Sequence, residues 1–425
     1  MTNKKNVVII TSISSERLRY TLDIIFRNRL KVNYFITDNV KEVCKDDIVI
    51  EYNFIQKYEY DFIQASAFIS RNSIDTDFYP VVKGKGEDLV IFPTENTLFK
   101  LDIFSAIFYC LSHYDAYLQT DKDAHGRIKF DQWFPRTSGL DQFPYVDIWI
   151  EKLKNYLESN NLECSESNFE QDISFDIDHL YLIDQRPLFQ HIKASIGDLL
   201  KFNFFHLFKR WLIILGLTED PAEKFFDMLD YQSDHKFTFF ILMKQGKHNS
   251  LNPLNELKKL LIKKLMQYGQ VEIHPSYQSL TKPELILQEK LQLSKITKTD
   301  ISASRFHFLR LSFPESFVAL NQYDIKTDQS VGYYDQPGFP SATCKPYHFF
   351  DLVNNQALTL IIQPFVWMDS MNKYYRKITL EEEKEELYHF KELCKKYNGR
   401  FSVVFHNDSM TERRYRMLFK SLLYS

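Results

Sequence analysis

The spacing of apolar and polar positions divides the chain near residue 165. Before it, apolar runs at 7–11, 32–37, 47–52 and 88–93 read as short strands, with a helix over 15–27. Residues 104–118 carry Ile107, Phe108 and Leu111 on one stripe and predict an amphipathic helix, as do residues 146–157. Residues 1–165 therefore predict one smaller α+β domain. A polar, acidic stretch over 164–172 reads as a linker. Beyond it, strand patterns at 173–177, 237–242, 271–274, 304–311, 358–364 and 401–406 alternate with helical patterns at 188–217, 222–229, 253–268, 282–297 and 380–397. The last helix opens with Thr379 and Glu382 in capping-box spacing. Alternation of this kind predicts a parallel α/β sheet or barrel, and about 250 residues suit a (β/α) barrel over 166–425.

Reading only the C-terminal ends of those strands gives a short set of polar residues. Asp176 and Asp178, two apart, project from one face at the end of the first strand. Carboxylates that close repel unless a cation or a proton lies between them. The other ends carry His274, the pair Arg305 and His307, Asp328 with Tyr333, Trp367 with Asp369, and His406. Two acids and three histidines on one rim point to a metal site with acid–base groups beside it.

Composition narrows the choice. Glycine is scarce at 11 residues, and neither a GxGxxG nor a Walker-type phosphate loop is present. A net charge of −3 offers no field for nucleic acid. The five cysteines form no CxxC pair, which argues against a disulfide framework and a Cys-rich zinc site. The first apolar run is too short for a signal peptide, and residues 202–217 are too short and too charged to span a bilayer. A cytoplasmic protein is expected. The basic helical region 193–224 is read as covering the barrel, and membrane contact is not expected. His113, Asp115 and His125 are read as structural.

With those residues in place, residues 170–410 resemble the NodB-type polysaccharide deacetylases of carbohydrate esterase family 4. More narrowly, the chain resembles a Bacteroidetes-type branch with an uncharacterised N-terminal domain, to which 104–117, His125-Gly126-Arg127 and 144–149 are similar. The resemblance implies a distorted (β/α)7-type barrel and metal-dependent removal of acetyl groups from N- or O-acetylated sugars. It implies Asp176 as general base, Asp178 and His274 as ligands of a divalent metal such as Zn2+, Arg305 as the residue orienting the base, and His406 as general acid. The family's second motif histidine is replaced by Gln278, and His307 stands where the third motif has proline. His307 is accordingly expected to complete the ligand set. Asp328, Tyr333, Trp367 and Asp369 are expected to contact an acetylated carbohydrate substrate. A non-catalytic sugar-binding relative and a small-molecule amidohydrolase remain alternatives.

Overall fold

The computed structural model describes residues 5–119, 121–165, 167–181, 188–230 and 235–424. Four parallel strands form the first sheet: β1 (Val7–Ile10), β2 (Tyr34–Thr37), β3 (Ile48–Asn53) and β4 (Asp61–Gln64), in the order β2-β1-β3-β4. β1 is buried throughout, as expected of a central parallel strand covered on both faces. The helix Glu16–Leu22 starts where the Ser15 side chain accepts from the Leu18 amide. The expected 104–118 helix is broken into Ile103–Leu111 and Tyr114–Leu118 by His113, whose φ of 52° is left-handed. Two short antiparallel strands follow β4 in sequence, β5 (Val82–Lys83) and β6 (Val90–Ile91).

The second sheet has nine strands: β7 (Glu170–Ile177), β8 (Phe237–Ile241), β9 (Gly269–Ile273), β10 (Ala303–Ser304), β11 (Thr327–Asp328), β12 (Tyr347–Asp351), β13 (Gln356–Ile362), β14 (Trp367–Met368) and β15 (Arg400–His406). Their order is β12-β13-β11-β10-β9-β8-β7-β15-β14. All pairings are parallel except β12 with β13. The fold is mixed α/β, and the expected barrel is not closed. β14 is only two residues long, and β12 runs antiparallel at the other edge. The N-terminal half meets that second edge. The Tyr20 hydroxyl donates to the His348 carbonyl at 2.6 Å, and His113 Nε2 lies 2.5 Å from the Tyr347 hydroxyl.

The strand expected over 304–311 is only the two residues of β10. After it the chain turns through His307–Leu309, with Phe308 and Leu309 at φ of 62° and 51°. The expected 188–217 helix is a hairpin of Leu188–Leu200 and Phe204–Ile214. It does not bury its apolar stripe on the sheet: Leu188, Phe189, Ile196, Leu200, Phe205 and Phe208 are all exposed. Among the described residues, no helix is long and apolar enough to cross a membrane. The core is continuous across residue 165, as where Phe108 meets Phe350 edge-on at 5.0 Å.

Candidate metal centre

β7 carries the first part of the site. Its Phe175 faces a cluster of aromatic rings, while Ser174 and Asp176 alternate with it on the polar side. Arg305, immediately after β10, reaches this polar side without solvent contact. Its Nη1 donates to Asp176 Oδ1 and its Nη2 to Ser174 Oγ, both at 2.8 Å, while Nε donates to the Gln329 carbonyl at 3.0 Å. The guanidinium also lies 4.4 Å above the Phe240 ring. The arrangement fixes the Asp176 carboxylate in one orientation.

Asp178, just past the end of β7, meets two imidazoles. His274 follows β9, and the left-handed turn at Phe308 and Leu309 holds His307 over it. His274 Nδ1 lies 2.5 Å from the backbone carbonyl of Arg305. A carbonyl only accepts, so Nδ1 carries a proton, and in the neutral ring Nε2 is the nitrogen left with a lone pair. That lone pair faces the cluster: Nε2 is 3.4 Å from Asp178 Oδ1 and 3.1 Å from His307 Nδ1, and His307 Nδ1 is 3.3 Å from Asp178 Oδ1. Asp178 Oδ1 is buried with no hydrogen-bond partner of good geometry. Three donors on a tetrahedral cation at about 2.0–2.1 Å would stand about 3.3 Å apart. The observed triangle matches that edge, and one oxygen and two imidazole nitrogens are a donor set that zinc takes. Burial pushes the Asp178 carboxyl up, but His307 and His274 outweigh it and hold it well below the usual range. Burial lowers His307, against the pull of Asp178.

His406 ends β15. Its Nδ1 is 2.7 Å from Oδ1 of the fully buried Asp369, whose Oδ2 accepts the His406 amide at 2.8 Å. Burial alone would lower its pKa; the Asp369 carboxylate outweighs this and raises it to about 10. Asp176, Asp178, His307 and His406 all open onto one cleft of about 340 Å³. Its other walls include Phe308, Tyr334, Tyr374, Tyr375 and Arg127.

The structure thus brings six expected residues together: Asp176, Asp178, His274, Arg305, His307 and His406. Gln278 is not among the cluster, since its side chain pairs with Asn249 at 2.6 Å. The four residues expected to contact substrate do not line the cleft. Asp328 is buried and accepts from Ser304 Oγ, Ser330 Oγ and the Ser330 amide. Tyr333 is buried against Trp133 and Arg136, Trp367 packs on Phe405, and Asp369 holds His406 from behind. Tyr334, adjacent to Tyr333, takes the wall position. Arg127 comes from the N-terminal half, where the sequence shows only a loop. Its Nε donates to Asp123 Oδ2 at 2.7 Å, Nη1 to the Phe308 carbonyl at 3.3 Å and Nη2 to the Tyr375 hydroxyl at 3.2 Å, with the guanidinium 3.8 Å above Tyr334.

Comparison with known proteins adds the following. Residues 7–162 match a family of unknown function, DUF7033. No curated protein matches the chain. Among solved structures, a candidate polysaccharide deacetylase from Mycobacterium smegmatis is 12% identical at a TM-score of 0.39, over 60% of this chain and 84% of that one. A polysaccharide deacetylase from Bacillus cereus is 9% identical at a TM-score of 0.31, over 60% and 85%. A mutant CE4 family pseudoenzyme with restored activity is 8% identical at a TM-score of 0.32, over 60% and 63%. These TM-scores are too low to establish a shared fold.

Proposed function

We propose that this protein is a metal-dependent hydrolase that removes acetyl groups from acetylated sugars. The observation that carries the reading is the 3.1–3.4 Å triangle of Asp178, His274 and His307, with Asp176 and His406 opening onto the same cleft. Those three residues would hold the cation, and one oxygen with two imidazole nitrogens suits Zn2+. When bound, the cation supplies Lewis acidity to water and to the acetyl carbonyl. Asp176, oriented by Arg305, takes the proton of the attacking water. His406, kept as imidazolium by Asp369, gives a proton to the departing sugar nitrogen or oxygen. The tyrosine-rich wall supports a sugar ring as the occupant, because aromatic faces offer a flat apolar surface beside hydroxyl donors. The division into domains at 1–165 and 166–425 belongs to the same proposal, with Arg127 of the first completing the cleft of the second.

The test measures bound metal and acetate release on acetylated chito- and xylo-oligosaccharides. Asp178→Asn is expected to lose both. Asp176→Asn is expected to keep the metal and lose about 10²–10⁴-fold in rate. Full metal occupancy in Asp178→Asn, or wild-type acetate release after chelation, overturns the reading.

A further inference from the structure

The helical hairpin after β7 is built inside out. Its two helices are held together by polar contacts. Arg210 Nη2 pairs with Asp198 at 2.9 Å, and Trp211 Nε1 donates to Ser195 Oγ at 3.2 Å. Most of its large apolar residues are left exposed or half-exposed, and Ile213 is the buried one among those described. Along the first helix Phe189, Ile192, Ile196 and Leu200 recur at helical spacing, and all are exposed. At the turn and on the second helix, Phe202, Phe205 and Phe208 are 80%, 74% and 67% exposed. Twelve of the 27 exposed large hydrophobic residues among those described fall within residues 188–217. Single exposed apolar residues are ordinary, whereas a contiguous face of this kind marks an interaction surface.

The same segment carries Lys193, Lys201, Lys209 and Arg210 against the single acid Asp198, in a chain whose net charge is −3. A cationic apolar face on an otherwise anionic protein complements an anionic lipid surface. At 13 and 11 residues the helices are roughly 20 and 17 Å long, short of the about 30 Å needed to cross the hydrocarbon core. We infer that this hairpin docks the protein on an anionic membrane surface, with its aromatic turn in the headgroup–acyl boundary and its lysines on lipid phosphates. A lysine stem is long enough to lie along an apolar face while its ammonium group reaches the headgroups. The inference does not rest on the deacetylase reading.

The test uses the full chain with phosphatidylglycerol-containing and pure phosphatidylcholine vesicles. Wild type is expected to sediment with the anionic vesicles and to shift its tryptophan emission to the blue. Trp133, Trp149 and Trp367 are buried, so half-buried Trp211 reports. Phe202→Ser/Phe205→Ser is expected to weaken binding by about tenfold or more. Lys193→Glu/Lys201→Glu/Lys209→Glu is expected to abolish the preference for anionic lipid. Both variants should retain wild-type melting curves and metal content, since the substituted side chains are exposed or at the surface. Wild type left in the supernatant without an emission shift overturns the inference, as does vesicle binding unaffected by the Phe202→Ser/Phe205→Ser change. A second copy is the competing occupant: a light-scattering mass of two chains that falls to one in that variant, without vesicle binding, overturns it equally.

Discussion

The buried carboxylate of Asp369 does most to hold a proton on His406, with Asp178 and Asp176 adding to it. Asp369 raises that imidazole to about 10, so the group enters the neutral range as an acid. Replacing Asp369 by Asn removes the charge that favours the imidazolium. The alkaline limb of the kcat/KM profile is then expected to move to lower pH, toward the ordinary histidine value near 6.5. The measurement is a pH–rate profile of both proteins; coincident alkaline limbs would contradict the pairing. The same shift works on stability. Because the folded value lies above the unfolded one, the pair's contribution is complete below about pH 6.5 and fades as pH rises through 10. The sequence showed the residues that gather at the cluster more clearly than those that support them. Asp176 and Asp178 announce themselves by i, i+2 spacing beside an apolar run. Asp369 reads equally well as a substrate contact, because nothing local says that its partner lies 37 residues on. Tyr333 and Tyr334 differ only in which way a loop residue faces, and no periodicity fixes that outside a strand.

At the scale of elements, local chemistry decided what could be foreseen. The helix Leu380–Lys396 begins where expected, with the Thr379 and Glu382 bonds of a capping box both formed. Thr379→Ala is expected to lower stability by about 1 kcal/mol, seen as a lower urea midpoint with unchanged slope. The stretch after β10 misleads because its turn contains no glycine or proline. Phe308 and Leu309 adopt left-handed backbone that their residue types disfavour, so residues 304–311 look extended. That turn also places His307 beside Asp178 and His274. Strand β12 is missed for a different reason: it lies at a sheet edge, paired only with β13, and its other contacts, Tyr20 and His113, come from 230 to 330 residues away.

At the scale of the molecule, the two sheets are not independent. Asp147 accepts from Arg29 Nη1 at 3.1 Å and from the Cys344 amide at 2.9 Å, and Arg136 makes a two-pronged pair with Asp335. The full chain is therefore expected to unfold in one calorimetric transition. A fragment of residues 166–425 is expected to lack a cooperative transition of its own, because it would bare the Tyr347 edge and the ring of Phe350. Two separate transitions in the full chain would contradict this. Parallel β/α order was legible from alternation, but the open sheet was not, since closure depends on how two edges end. The Arg127 loop has one more consequence. Its guanidinium is already engaged by Asp123, Phe308, Tyr334 and Tyr375, so the aromatic wall stands ready before any guest arrives. Entry then asks no reordering of the Arg127 loop, and a guest meets that part of the wall already formed.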